Sequence, residues 1–203
     1  MHAKVKFIYF DLGGILFDWR AAMDKIIQKL NISLKDFKKV FEKYDDEACR
    51  GNITKQELWQ IYAHELRLKK PIDFDLGQFW SDNFNLIPDS HQLLRDLSQK
   101  YPIGLLTNIY HGVFPEVLDK GHIPNIRYGA IIQSCEIGFI KPEKEIYEIA
   151  RTKANVKHEQ ILFLDDLKVN VDAAQKMGWK AVWFDQKNPQ KAVAEVWRKL
   201  KGF

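Results

Sequence analysis

Cysteine is scarce. Only Cys49 and Cys135 occur in 203 residues, far apart and without metal-ligand spacing, which excludes a disulfide framework and a cysteine-rich zinc site. Such usage fits a reducing compartment in which both thiols act as small buried hydrophobes. Long apolar runs are absent too: nothing approaches the roughly 18 residues of a membrane span. The stretch from Val5 to Phe10 stops at Asp11, too early for a signal peptide. A cytoplasmic location with no membrane partner is therefore expected. Charge of one sign is also lacking. The 31 Lys and Arg against 27 Asp and Glu leave a net +4 with no like-charge block, so a nucleic-acid partner is not expected. What is present is ordinary globular usage, 46% apolar and 29% charged residues, in a chain long enough for one core and an accessory lobe.

Short runs rich in β-branched, aromatic and aliphatic residues mark buried strands: Val5 to Phe10, Ile103 to Leu106, Ala130 to Ile132, Ile161 to Leu164 and Lys180 to Phe184. Helical periods lie between them. Leu93, Leu94 and Leu97 form one stripe and Ile146, Tyr147 and Ala150 a second; Val171, Ala174 and Met177 form a third, closed by Gly178 as a C′ residue. Asn188 and Pro189 open a last helix as N-cap and first position. Alternating strand and helix predict an α/β fold, a doubly wound parallel sheet of the Rossmann-like kind.

Residues 18–85 break the alternation, because every period there is helical. The stripes run through Trp19, Met23, Ile26 and Leu30, then Leu34, Phe37, Val40 and Phe41, then Leu58, Ile61, Tyr62 and Leu66. Thr54 and Glu57 form a capping-box pattern before the third, and Phe74, Phe79 and Phe84 suggest a fourth helix. The expected organisation is a core of residues 1–17 and 86–203 with a small α-helical lobe, residues 18–85, inserted after the first strand. Asp18 reads as the N-cap of its first helix.

Ligands of open α/β sheets bind beyond the carboxyl ends of the strands. Here those ends are Asp11, Thr107-Asn108 and Asp165-Asp166. Each has an ordinary structural reading as a turn or cap residue, and Lys141 before Pro142 reads as a solvated lysine at a helix start. Together they have one common explanation. A carboxylate nucleophile, a second carboxylate pair, a hydroxyl donor and an ammonium are what phosphoryl transfer through an aspartyl intermediate needs. An anionic nucleophile approaching an anionic phosphate requires a divalent cation, and an all-oxygen ligand set points to Mg²⁺.

The ordered set resembles the haloacid dehalogenase superfamily of Rossmann-like hydrolases, in the branch with a helical cap inserted after the first motif. Phe10-Asp11-Leu12-Gly13-Gly14-Ile15-Leu16 matches that first motif and Leu106-Thr107-Asn108 the second. Gly138 to Pro142 carries Lys141 as the third, and Phe163-Leu164-Asp165-Asp166 with Asn170 matches the fourth. The resemblance implies that Asp11 attacks phosphorus, that Thr107 and Asn108 donate to phosphoryl oxygens, and that Lys141 neutralises charge beside the nucleophile. It further implies that Asp11 and Asp166 hold Mg²⁺ with the backbone carbonyl of Gly13, assisted by Asp165 or Asn170. The expected partner is a small phosphorylated metabolite.

Gly13 departs from the pattern. Most phosphatases resembling this sequence carry there an acid that protonates the leaving oxygen and later activates water, work valued at about 10² to 10⁴ in rate. The Asp-Leu-Gly-Gly form resembles a branch in which sugar-1-phosphate phosphatases occur, and a sugar C1 oxygen leaves more easily than an ordinary alkoxide. The expected activity is a Mg²⁺-dependent phosphatase of small phosphomonoesters, sugar phosphates among them. Two alternatives stand beside it: a metal-free 2-haloacid dehalogenase using the same nucleophile, and a non-catalytic binder of a phosphorylated ligand. Adjacent Asp165 and Asp166 argue against the first and three retained carboxylates against the second. The aromatics Trp19, Phe41, Tyr44, Trp59 and Trp80 cannot be sorted from sequence into core and pocket wall, and His64, His91, His111 and His122 connect to no motif. The sequence does not specify an oligomeric state.

Overall fold

A computed structural model describes residues 3–68 and 74–202. In chain order the elements are β1 (Phe7–Phe10), β2 (Phe17–Asp18), α1 (Arg20–Leu30), α2 (Leu34–Cys49), α3 (Lys55–Glu65), α4 (Leu76–Asp82) and β3 (Asn85–Leu86). There follow α5 (Pro88–Ser98), β4 (Ile103–Thr107), α6 (Val113–Asp119), β5 (Ala130–Gln133), α7 (Ser134–Ile137), α8 (Lys144–Ala154), β6 (Ile161–Asp165), α9 (Lys168–Lys176), β7 (Lys180–Trp183) and α10 (Pro189–Gly202). Every apolar run expected to be a strand is one. All pair in parallel, in the order β5-β4-β1-β6-β7.

The pleat of β1 divides the core in two. Ile8 and Phe10 point into one layer with Leu93, Leu94 and Leu97 of α5 and Val196 of α10. Phe7 and Tyr9 point into the other, with Ile146, Tyr147 and Ala150 of α8 and Val171 and Ala174 of α9. The Tyr9 hydroxyl satisfies itself by donating to the Ala150 carbonyl at 2.8 Å. Helices therefore cover both faces, as the two-sided apolarity of β1, β4 and β6 requires.

Helices α1 to α4 form a separate cluster around Ala22, Met23, Ile26, Phe37, Val40, Leu58, Tyr62 and Trp80. The capping box of Thr54 and Glu57 is formed, and Ser33 and Asp75 cap α2 and α4. The fourth helix is only Leu76–Asp82, so Phe74 and Phe84 flank it. Two other expectations need correction. Helix α1 starts at Arg20, with Trp19 as the flanking residue; Asp18 lies in β2 and its Oδ1 accepts the Arg20 N–H at 3.0 Å. Helix α8 starts at Lys144, so Pro142 is not its first residue, because the Lys141–Pro142 segment belongs to the site instead. The chain enters and leaves the helical cluster through a short antiparallel pair, β2 with β3, which joins Phe17 to Leu86. His91 Nε2 donates to the Leu16 carbonyl at 3.0 Å and His122 Nε2 to the Ser81 carbonyl at 2.7 Å, so both histidines secure this region.

Candidate active site

Strand β1 is central, with β4 on one side and β6 on the other, so the sheet reverses its direction of growth there. The carboxyl ends of these three strands carry Asp11, Thr107 and Asp165, all buried. The turn after β1 brings the chain very close to the β6 end. Gly14 has φ +76°, and a Cβ on it would lie 2.2 Å from Asp166 Cγ, so only glycine serves at that position.

Lys141 reaches into this space from the loop before α8. Its Nζ is 2.8 Å from Asp11 Oδ1 and 2.7 Å from Asp165 Oδ2, with its side chain 1% exposed. Asn108 fixes the lysine backbone, accepting the Lys141 N–H at 2.8 Å and donating to the Lys141 carbonyl at 3.0 Å. One Asn108 amide N–H and its amide oxygen are committed there, which leaves the second amide N–H and the backbone N–H as the donors it could offer a phosphoryl oxygen. Thr107 Oγ1 makes only a long 3.3 Å bond to the Asn108 carbonyl. Asp165 is saturated: Asn170 Nδ2 bonds both its oxygens at 3.1 Å and the Leu167 N–H bonds Oδ1 at 2.8 Å. Asp165 thus aims Lys141, and Asn170 aims Asp165.

The electrostatics follow from one ammonium shared among three carboxylates. Burial raises the Asp11 carboxyl to about 7; Lys141 opposes the rise, while Asp165 and Asp166 add to it. Burial alone would depress the Lys141 ammonium, but Asp11 and Asp165 hold it above the ordinary lysine value. Asp166 is raised by burial and by Asp165, against the pull of Arg20. One oxygen from each of Asp11, Asp165 and Asp166 lies within 4.8 Å of the others. A buried cluster of hard oxygen donors short of positive charge fits a divalent cation of the Mg²⁺ type.

Two residues that no motif marked also reach the site. Arg20 NH2 and Gln186 Nε2 each donate to Asp166 Oδ2 at 3.2 Å. Arg20 follows Trp19 at the start of α1 and Gln186 follows β7, so only the fold brings them together.

A cavity of about 210 Å³ opens above Asp11, Thr107, Lys141 and Asp166. Its remaining wall comes largely from Trp19 ahead of α1, from α2 and α4, and from the loop after β4. This sorts the aromatics: Trp19, Phe41 and Trp80 line it. Trp59 packs against Phe74 within the helical cluster, and the Tyr44 hydroxyl donates to Glu65 on the outside. Asp45 and Tyr110, paired by a hydrogen bond from the Tyr110 hydroxyl, also line the cavity and were not anticipated. His111 Nδ1 sits 3.3 Å from Glu136, and His64 is exposed in the last turn of α3.

The sequence profile of the haloacid dehalogenase-like hydrolases matches residues 8–184. The chain belongs to that family. Among its relatives is a sesquiterpene phosphatase of Aspergillus oryzae, 28% identical over 182 residues that cover 88% of this chain and 89% of the relative. A D-ribitol-5-phosphate phosphatase of Bacteroides thetaiotaomicron is 24% identical over 87% of this chain and 90% of its own. The fold matches that of a haloacid dehalogenase family enzyme from Bacteroides thetaiotaomicron solved with magnesium and inorganic phosphate. The TM-score is 0.72 at 21% identity, covering 88% of this chain and 93% of that one. Within this haloacid dehalogenase-like hydrolase, the place of the missing acid is filled. A Cβ on Gly13 would stand 2.9 Å from Trp19 Cδ1, so the indole lies where a side chain at position 13 would begin.

Proposed function

We propose that this hydrolase is a Mg²⁺-dependent phosphatase of small phosphomonoesters, working through an aspartyl-phosphate on Asp11. The observation that carries this reading is the arrangement around Asp11. A buried carboxylate at the floor of a cavity is held at 2.8 Å by Lys141, in a cluster with Asp165 and Asp166 whose oxygens lie within 4.8 Å. Phosphatase-named relatives that match across most of their length support the same reading.

Bound Mg²⁺, held by Asp11, Asp166 and the Gly13 carbonyl, would neutralise the repulsion between nucleophile and phosphate. Lys141 keeps Asp11 oriented and more readily ionised, and Thr107 offers a hydroxyl to a phosphoryl oxygen. An Asp11 oxygen attacks phosphorus, the ester P–O bond breaks, and the leaving alcohol takes its proton from solvent. Water then attacks phosphorus of the acyl phosphate, releasing inorganic phosphate and restoring Asp11. The dehalogenase alternative has no use for the Asp166 side of this cluster. Helices α1 to α4, within residues 18–85, serve as the cap that encloses the substrate over the core of residues 1–17 and 86–203.

Phosphate release from a panel of phosphomonoesters, with Mg²⁺ or chelator, tests the reading. Turnover is expected only with the metal and is lost in Asp11→Asn. Because Asp11 titrates near 7 and must be ionised to hold metal, half-saturating Mg²⁺ should rise as pH falls from 8 toward 6. Undiminished activity in chelator or in Asp11→Asn would refute it.

A further inference from the structure

The apolar part of the cavity wall carries information about the alcohol part of the substrate. Phe17, Trp19, Phe41, Trp80, Phe84 and Ile109 supply most of it. The rings are mutually braced, Trp19 stacking on Phe41 with centroids 5.9 Å apart and Phe17 on Phe84 at 4.5 Å. Polar groups are few on these residues, the unpartnered Trp80 indole N–H being one. Asp45 is the one carboxylate among these wall residues outside the nucleophile cluster, and its Oδ1 is already engaged by the Tyr110 hydroxyl. Cys49 adds a buried thiol. From this wall we infer that the preferred substrate is the phosphate ester of a compact apolar alcohol, aromatic or alicyclic, rather than of a polyol or sugar.

The inference deepens the phosphatase reading and rests on it, since the wall is assigned to the leaving group only if phosphorus sits over Asp11. A polyol places a hydroxyl on nearly every carbon. Buried against six apolar side chains, most of those hydroxyls would lose water and find no partner. An apolar alcohol of the same size loses nothing there and removes both its own surface and the ring faces from water. The wall also reports its polarity through Asp45, whose carboxyl is pushed up to about 6 chiefly by burial, against the pull of the Tyr110 hydrogen bond. A well-hydrated, sugar-reading pocket would leave a carboxylate near its ordinary value. A single polar end on the alcohol remains compatible, because Asp45 has a second oxygen.

The experiment compares kcat/KM of the full chain with Mg²⁺ for hexyl phosphate, benzyl phosphate and erythritol 4-phosphate, which differ little in size. The apolar esters should be preferred by about tenfold or more, and lengthening the alkyl chain should raise kcat/KM by about fourfold per methylene until the cavity is full. Phe41→Asn should shrink the preference, mainly through a higher KM for the apolar esters. Equal values, or preference for the erythritol ester, overturn the inference. Should none of the esters be hydrolysed, the catalytic reading fails first. The class of ligand is then decided by calorimetry with hexylphosphonate and a trihydroxybutyl phosphonate. Tighter binding of the hexyl compound supports the inference, and equal binding or none overturns it.

Discussion

At the scale of single residues, the candidate site is a buried charge network whose members orient one another. Lys141 contributes most, since it touches both Asp11 and Asp165 and is held at its backbone by Asn108. Gly13 is the more revealing position. Its lack of a side chain follows from Trp19, whose ring fills the space an acid would need, and that ring also forms cavity wall. The molecule thus has an aromatic surface where the first motif leads one to expect a proton donor. Gly13→Asp alone should therefore give no gain in kcat and should destabilise the fold by about 1–3 kcal/mol, the ordinary cost of overpacking. Gly13→Asp combined with Trp19→Ala opens the slot. Relative to Trp19→Ala alone, its kcat on an alkyl phosphate should rise by up to about 10². Steady-state kinetics with thermal melts of the three variants decide this; a faster single variant would mean that the indole does not exclude the acid.

At the scale of elements, the form of the cavity depends on how the helices α1 to α4 are fastened to the sheet. Arg50, which ends α2, forms a two-pronged ion pair with Glu143, one arm at 2.9 Å, and also donates to the Gly138 carbonyl at 3.3 Å. Glu143 in turn accepts the Ile140 N–H at 3.1 Å, so one clamp ties the end of α2 to the loop that carries Lys141. Lys55 bridges α3 to Glu116 of α6 at 2.5 Å, and Ser134 Oγ donates to the Cys49 carbonyl at 2.5 Å. Arg50→Ala should lower stability by only about 1 kcal/mol, since the pair is partly solvated. It should raise KM severalfold, because the cap and the Lys141 loop lose their shared anchor. Melting curves and the KM-against-kcat split check this; an unchanged KM would show that the clamp is not needed to form the cavity. Elements were also where the sequence spoke most clearly. Runs such as Ile161 to Leu164 are apolar on both faces and could only be central strands, and the Thr54 and Glu57 box announced α3. The pair β2 and β3 was invisible, because two residues are too few to show an alternation. Asp18 looked like a cap for the same reason: the strand that holds it leaves no pattern.

At the scale of the whole molecule, a five-stranded parallel sheet gathers the strand ends at Phe10, Thr107 and Asp165, which are far apart in sequence, and the candidate site forms only there. Asp11, Thr107, Lys141, Asp165 and Asp166 were legible because each ends or follows a recognisable strand or sits in a short motif. Arg20, Gln186, Asp45 and Tyr110 were not. Their contacts cross between cap and core or between distant loops, and no local pattern encodes such contacts. The cavity wall is likewise assembled from residues of several distant elements, which is why the sequence indicates a reaction class more readily than an alcohol. Among the described residues, no helix is long and apolar enough to cross a membrane. The central claim is that Asp11 becomes phosphorylated, and rapid-quench of a ³²P-labelled ester with Mg²⁺ tests it most directly. Acid quench within one turnover, followed by peptide mapping, should place the label on the segment containing Asp11 and should find none in Asp11→Asn. Phosphate release in the wild-type chain with no labelled protein at any quench time, or label on another residue, would contradict the account.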